Sequence, residues 1–237
     1  MSETDVQRAI AKFATVLASL NHEESLTARL CEAGRRLLDA EGASMTLDYA
    51  GNGRLMVHAT DELSAQLDDL QDVVGEGPSF DAADSGEIVV ARLGNGDEDR
   101  WALFSDRLID LGFRGTLVAV PLRAELSVLG VLSLHRRGTD QEEDLVSARF
   151  LGATVGTALL QDPRLGGSDQ VANEAWATRS TIHQATGMIV AQVGVRTEDA
   201  MALLRAQAFA RNTSLADVAQ DIVDRRINFR DFTIEGD

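Results

Sequence analysis

Residues that could carry catalysis are few in this sequence, and they stand outside any catalytic motif. Carboxylates cluster at Asp97-Glu98-Asp99 and within Gln141-Glu142-Glu143-Asp144, where they could serve general acid–base chemistry. Such runs usually mark a solvated loop or the start of a helix. The sequence has no phosphate-binding loop, zinc-protease helix or serine-nucleophile elbow. We therefore predict no catalytic residue and no enzymatic activity.

Metal and haem sites are not expected either. Cys31 is the single cysteine, so neither an intramolecular disulfide nor a cysteine-based zinc site can form. It follows Leu30 on a predicted helix face, which favours a buried, inert thiol. His58 and His135 lie on predicted strands, and no Cys-x-x-Cys-His motif accompanies them. We predict no haem and leave the cofactor open.

Charge argues against a general polyanion binder. The chain has 22 Lys and Arg against 38 Asp and Glu, a net charge of −16, whereas affinity for nucleic acid rests on cations that neutralise phosphates. Residues 168–237 are the less acidic part, with 7 Arg against 10 Asp and Glu. No apolar run approaches the length of a membrane span and no secretory signal opens the sequence, so we expect a cytoplasmic protein.

Helical and extended patterns alternate over the first 160 residues. Apolar residues at helical spacing run from Val6 to Leu20, and a second helix starts near Ser25, a suitable N-cap. Strand patterns lie at 43–49, 54–60, 88–91, 116–122 and 126–135, and further helical patterns at 63–73, 101–111 and 141–160. Residues 116–122 are apolar on both faces, as in a covered inner strand. This order indicates an α+β fold, an antiparallel sheet sandwiched by helices.

The remaining residues form a separate helical module. Pro163 and the pair Gly166-Gly167 resist helix continuation, so we divide the chain into a domain at 1–162, a linker at 163–168 and a module at 169–237. The pattern predicts three helices: one from about Gln170 to Val193, a second capped by Thr197 and ended by Asn212, and a third capped by Ser214. DNA-binding, RNA-binding and dimerisation units all share such a bundle.

Several motifs of this module, in order, resemble the ANTAR domain, a family of RNA-binding antitermination modules. They are Ile182-His183-Gln184-Ala185-Thr186-Gly187-Met188-Ile189-Val190, Glu198-Asp199-Ala200, Leu203-Leu204-Arg205, Ala208, Asn212 and Leu215-Ala216-Asp217-Val218-Ala219. The resemblance implies that the module binds RNA hairpins as a dimer. The RNA-contact residues that it implies are Arg179, Gln184, Thr186, Arg205, Arg211 and Asn212.

Two of the motif positions depart from the family, and several have a structural alternative. Thr186 and Ser214 stand where the family commonly or often has basic residues, and the loss of cations lowers affinity for RNA. Ala185 and Gly187 are expected to allow close helix packing. Arg205 could pair with an acidic neighbour. Arg211 and Asn212 could form only a C-terminal helix cap, and His183 suits surface or packing.

The first domain resembles the GAF family of sensory α+β domains. The motifs that carry this resemblance are Gly75-Glu76-Gly77-Pro78-Ser79, Arg100-Trp101, Val120-Pro121-Leu122 and the strand at 128–134. The resemblance implies either a small-molecule pocket beside the sheet, for which Ser79, Trp101 and Phe104 are candidates, or a dimerisation unit. Ser79 stands where related GAF–ANTAR chains often have cysteine, so a thiol sensor is not expected there.

These resemblances together predict a two-domain regulator. The first domain would receive a signal, and the bundle would bind an RNA hairpin to prevent transcription termination. The helices at 141–160 and from about 170 would couple the domains and form the seam of a homodimer. The alternative is a dimerising protein-interaction regulator whose bundle has weak or lost RNA binding.

Overall fold

The computed structural model describes most of the chain. Placed residues are 3–20, 24–48, 54–93, 98–124, 127–139, 142–162 and 170–232, and the side chains of 3, 98, 99, 170–176, 179, 231 and 232 are not described. No helix within these ranges is long and apolar enough to cross a membrane. The predicted linker at 163–168 lies outside the described residues.

Within the described ranges, helices and strands follow the predicted order. The helices are α1 Glu3–Ser19, α2 Leu26–Leu37, α3 Glu62–Val74, α4 Pro78–Ser85, α5 Ala102–Asp110, α6 Leu145–Leu160, α7 Gln170–Val193, α8 Thr197–Arg211 and α9 Leu215–Val223. The strands are β1 Gly42–Asp48, β2 Arg54–Ala59, β3 Val89–Leu93, β4 Gly115–Ala124 and β5 Ser127–Arg137. Ser25 caps α2 as predicted, since its hydroxyl accepts a hydrogen bond from the Ala28 amide at 3.2 Å.

The five described strands form one antiparallel sheet in the order β2-β1-β5-β4-β3. Side chains of β4 alternate between two apolar layers. Val118 and Val120 face a core with α1, α2 and α6, whereas Leu117 and Ala119 face a second core with α3, α4 and α5. The predicted α+β sandwich is therefore confirmed. Residues before the linker are called the sheet domain below.

Helices α7, α8 and α9 form a bundle around small apolar residues, called the helical bundle (170–232) below. Its core includes Ala185, Ala200, Ala208 and Ala219, each without exposed surface. Because alanine side chains are short, the helix axes lie close together. Val73 of α3 joins this core, so the bundle packs directly on the sheet domain.

Two local predictions were wrong. Pro78–Ser85 forms α4, where the Gly-Glu-Gly-Pro run had suggested only a loop; Pro78 at the first helical position and Gly86 after the last residue fit a short helix. Helix α8 begins with Thr197 as its first helical residue, and Arg196 occupies the N-cap without a side-chain hydrogen bond. Cys31 has no exposed surface, as predicted, and burial raises the pKa of its thiol.

Candidate nucleic-acid interface

Helix α7 presents an open face around Gly187. Gln184 is exposed, and a Cβ added to Gly187 would meet no atom within 4 Å. The expectation that Gly187 permits helix packing is therefore wrong, although Ala185 is fully buried as expected. The side chain of Arg179, a predicted contact, lies outside the described residues.

Thr186 does not reach this face. Its side chain is 3% exposed, and its hydroxyl donates to the Ile182 carbonyl at 2.7 Å within the same helix. The helical repeat thus places this side chain, at the position that commonly carries lysine in the family, on the buried side of α7. Thr186, predicted as an RNA contact, is therefore not on the surface available to RNA in this structure.

A cluster of arginines lies where α8 and α9 end. Arg211 donates to Asp221 at 2.8 Å, and Arg226 donates to the same carboxylate at 2.7 Å while also pairing with Asp224 at 2.9 Å. Hydrogen bonds from Arg226 and Arg211 hold the pKa of Asp221 below its usual value. Arg225 is exposed beside them. Sequence reasoning missed Arg225 and Arg226, although the Asp-Arg-Arg run just after a helix was the available signal.

The turn between α8 and α9 forms as predicted. Asn212 ends α8 in the left-handed region, with φ of 52°, and its amide donates to α8 carbonyls. The Ser214 hydroxyl accepts a hydrogen bond from the Asp217 amide at 3.1 Å and caps α9. Asn212 and Ser214 both line clefts against the sheet domain. Ser214 therefore has a structural role of its own in place of a cation.

Arg205 points away from the open face of α7, toward the sheet domain. Its guanidinium packs on Gly75, where an added Cβ would lie 3.0 Å from Nη1. Burial lowers its pKa, and the Asp72 carboxylate opposes that change. In this arrangement Arg205 is half-buried and faces helix α3.

A second arginine, Arg107, also connects the two domains. Arg107 of α5 donates to the Phe209 carbonyl at 3.0 Å, and its guanidinium carbon lies 3.9 Å from the centre of the Phe209 ring. The contact combines a charged hydrogen bond with a cation–π interaction. Helix α8 is therefore held to the sheet domain at both Arg205 and Phe209.

The predicted pocket residue Ser79 is part of a buried polar network. Its hydroxyl donates to Gln71 Oε1 at 2.8 Å and accepts from Arg54 Nη2 at 2.9 Å. Arg54 also donates to Asp72 at 3.0 Å, lies 3.6 Å from Asp68, and stacks on the Phe80 ring at 4.1 Å. Ser79 thus ties α4 to β2 and α3, and it has no exposed surface to offer a ligand.

Trp101 and Phe104 also pack instead of lining a cavity. Both belong to the core between the sheet and α3–α5, and the Trp101 ring nitrogen donates to Asp81 at 3.1 Å. None of the cavities described is lined by Ser79, Trp101 or Phe104. The one inside the sheet domain holds about 10 Å³, enough for one water molecule. Ser79, Trp101 and Phe104 are thus buried and engaged in packing or hydrogen bonds.

Larger spaces lie between the domains. One cleft of about 290 Å³ lies beside Arg107 and Phe209, and another of about 420 Å³ lies beside Arg205. Asp69 of α3 lines both. Small-molecule sites usually measure about 300 to 1,000 Å³, and the larger of these two clefts falls within that range.

Asp69→Asn is expected to change how stability depends on pH. Burial, followed by the neighbouring Asp72 and Asp68, raises the pKa of Asp69 to about 7. The unfolded chain has an Asp pKa of about 3.9, so the folded state keeps a proton that the unfolded state releases. Stability therefore falls as pH rises from about 4 to about 7. The variant should match the wild type at pH 4 and exceed it at pH 8 in urea unfolding.

Asp84→Asn, at an exposed position on α4, is the control for this prediction and should follow the wild-type curve. If Asp69→Asn keeps the full wild-type decline between these pH values, Asp69 does not titrate in the folded protein as we expect.

Residues 21–160 match the GAF domain family, and residues 170–223 match the ANTAR domain family. The chain belongs to the GAF domain family and carries a C-terminal ANTAR domain. Both predicted resemblances are confirmed. GAF and ANTAR domains are typically sensory and regulatory rather than catalytic. The GAF–ANTAR pair is that of a sensory regulator with an RNA-binding output.

Solved GAF domains show distant similarity to this GAF–ANTAR chain. That of the Acinetobacter phosphoenolpyruvate-protein phosphotransferase has 15% identity and a TM-score of 0.42, covering 69% of this chain and 99% of that one. The GAF domain of nlh2 from A. aeolicus has 14% identity and a TM-score of 0.41, covering 68% and 99%. The GAF-B domain of DevS from Mycobacterium smegmatis has 19% identity and a TM-score of 0.35, covering 73% and 98%. No curated protein matches the chain.

Proposed function

We propose that this protein is a signal-responsive regulator whose ANTAR domain binds hairpin RNA and prevents transcription termination. The observation that carries the proposal is the ANTAR match over residues 170–223, next to the exposed pair Arg211 and Arg226 on Asp221. We propose that it acts in the cytoplasm and that it forms a homodimer. Of the predicted RNA contacts whose side chains are described, Gln184, Arg211 and Asn212 are exposed in this arrangement.

The ion pairs on Asp221 do not prevent RNA binding. Exposed ion pairs contribute roughly 0 to 1 kcal/mol, and Arg211 and Arg226 keep 45% and 58% of their side-chain surface exposed. A phosphate can therefore replace Asp221 as their partner at small cost. Guanidinium groups suit this exchange because they bind phosphate through two parallel hydrogen bonds.

We propose that signal control acts through the contact between the domains. Arg205 lies against Gly75 and Asp72, and Phe209 lies under Arg107. The carboxylates of α3 occupy the side of Arg205 that an RNA phosphate would need. A signal that separates the domains would expose Arg205 fully and increase RNA affinity.

Only part of the α6 surface is open for the homodimer contact that we propose along α6 and α7. Helix α1 already covers part of α6, since the Phe13 and Phe150 rings lie edge to face at 6.0 Å. Leu145 and Leu160 remain 45% and 56% exposed at the two ends of α6. We propose that the seam uses these ends together with the first half of α7.

The small number of cations in the C-terminal module supports a second candidate function. Residues 168–237 carry 7 Arg against 10 Asp and Glu, and Arg205 is engaged with the GAF domain. These observations favour a dimerising regulator that acts through protein contacts alone. Binding of RNA by the full-length protein separates the two functions.

Arg226→Gln is expected to weaken RNA binding by roughly five- to tenfold and to reduce the salt slope by about one, as loss of one phosphate contact does. The measurement is a titration of a two-hairpin RNA by the full-length chain at several salt concentrations. Arg8→Gln is the matched control, since Arg8 is an exposed α1 arginine in a weak pair with Asp5. It should leave both quantities unchanged.

Absence of RNA binding by the full-length dimer at low salt would contradict the proposed function and support the protein-contact alternative. If Arg226→Gln and Arg8→Gln change RNA binding equally, the protein binds RNA, but the arginines paired with Asp221 are not part of the interface.

A further inference from the structure

The cleft beside Arg205 has the size and lining of a small-molecule site. It measures about 420 Å³ and lies between β2 and α4 of the GAF domain and the three ANTAR helices. Much of its wall is apolar: Met56 and Phe80 on the GAF side, and Ile182, Met201 and Leu215 on the ANTAR side. Apolar walls with a few polar groups are typical of ligand sites.

Two polar groups of the cleft lack partners in the described part of the chain. Arg205 Nε is buried without a hydrogen-bond partner. Asp69 has no hydrogen bond or ion pair among the described residues, although it is largely withdrawn from solvent. By contrast, Arg54 and Asp72 in the same wall satisfy each other at 3.0 Å. Buried polar groups without partners are uncommon in folded proteins, so Arg205 Nε is a free donor for a ligand, and the half-buried Asp69 carboxyl adds an acceptor in the same wall.

The charges of the lining select an uncharged ligand. Two arginines, Arg54 and Arg205, and two aspartates, Asp69 and Asp72, line the cleft. At about pH 8, where Asp69 is largely ionised, an anion drawn to Arg205 would meet the two carboxylates, and a cation drawn to Asp69 would meet the two guanidinium groups. A ligand without net charge avoids both penalties, and it can give an acceptor to Arg205 and an N–H donor to Asp69.

We propose that this interdomain cleft binds a small uncharged molecule of the carboxamide or lactam class. The amide oxygen accepts from Arg205, the amide N–H donates to Asp69, and an apolar body lies against Met56, Met201 and Phe80. A molecule of this kind contacts both domains at once. It therefore occupies a place different from the position around Ser79, Trp101 and Phe104 beside the GAF sheet.

If the proposed RNA-binding function also holds, a ligand in this cleft would affect RNA binding. A ligand that bridges the domains stabilises the arrangement in which Arg205 faces the GAF domain, because it binds this arrangement better than the separated one. Its presence would then weaken RNA binding. The site itself does not depend on that function, and it is tested below without RNA.

The site can be tested with the methionine methyl groups of the full-length protein. The chain has five methionines, of which Met56 and Met201 line the cleft and Met45 lies fully buried in the GAF core as an internal reference. Benzamide is the probe, with benzoate and benzylammonium as anionic and cationic analogues of similar shape. In methyl-labelled protein, benzamide should shift Met56 and Met201 saturably, with a Kd on the order of a few millimolar, and leave Met45 unchanged.

Benzoate and benzylammonium should bind at least about tenfold more weakly than benzamide, since each places a charge beside like charges. Arg205→Leu should weaken benzamide by about fivefold or more, whereas Arg196→Leu, an exposed position before the same helix, should not. An unchanged Met45 signal shows that each variant is folded. Absence of saturable shifts at Met56 and Met201 with every probe would overturn the site. Equal binding of the three probes, or preference for a charged one, would overturn the amide class.

Discussion

Arg54→Met is expected to lower the free energy of unfolding by about 3 to 5 kcal/mol, the usual loss when one partner of a buried ion pair is removed. Arg54 of β2 reaches three groups of α3 and α4: it donates hydrogen bonds to Asp72 and Ser79, and it forms an ion pair with Asp68 at 3.6 Å. Asp68 is 1% exposed, and its carboxylate also accepts a hydrogen bond from the Thr46 hydroxyl. Without the guanidinium, two carboxylates are left close together, one of them fully buried. Urea unfolding followed by tryptophan fluorescence measures the loss.

Two further variants show whether unpaired charge is the cause. Arg54→Met/Asp68→Asn should recover part of the lost stability, because the amide removes one of the uncompensated charges. Arg92→Met, at an exposed position on β3, should change stability by less than about 0.5 kcal/mol. If Arg54→Met costs no more than Arg92→Met, the network is not the connection between β2, α3 and α4 that we describe.

The secondary structure could be read from the sequence because it follows local periodicity. Residues 116–122 alternate between two apolar faces, and the structure places those faces in two separate cores. Ser25 and Ser214 act as caps because an N-cap needs only a hydroxyl within three residues of the amide that it accepts from. Such signals lie within one helical turn or one strand, so no tertiary information is required.

The roles of the candidate site residues were less predictable because they depend on distant contacts. Ser79 was read as a pocket residue, yet Arg54, 25 positions away, makes it part of a buried network. Arg205 belongs to the ANTAR motif, but its neighbours Gly75 and Asp72 come from the other domain. Thr186 could have been assigned inward from the helical period, since Ile182 and Ile189 lie on the same buried side.

The contact between the domains determines which residues of the ANTAR motif are accessible in the full-length chain. A motif names residues that can touch RNA, but it does not say which of them are accessible in the full-length chain. Arg205 is half-buried, whereas Arg211 and Arg226 are exposed. Loss of RNA binding in Arg205→Ala would therefore mix two effects, a lost phosphate contact and a changed domain arrangement. Arg226→Gln avoids this ambiguity because the ion pairs of Arg226 among the described residues, with Asp221 and Asp224, lie within the helical bundle.

Gly156→Val is expected to destabilise the GAF domain by about 3 kcal/mol or more. Gly152 and Gly156 lie one turn apart on the side of α6 that rests on β4. A Cβ on Gly156 would overlap the carbonyl oxygen of Arg123, and a Cβ on Gly152 would press on that of Pro121. Overpacking a core usually costs about 1 to 3 kcal/mol. The loss should be larger here because the obstructing atoms belong to the backbone of an inner strand, where Pro121 and Arg123 are paired with β5 and cannot move without disturbing those pairs.

Gly187 supplies the matched control, since it also lies within a helix but has no atom within 4 Å of an added Cβ. Gly187→Ala should raise stability by about 0.5 to 1 kcal/mol through the better helix propensity of alanine. Gly187→Val should stay near neutral, because valine loses part of that gain at χ1. Urea unfolding of the three variants separates backbone approach from helix propensity. If Gly156→Val were no more harmful than Gly187→Val, α6 would not be seated on β4, and the layer that joins α1, α6 and the sheet would have to be described differently.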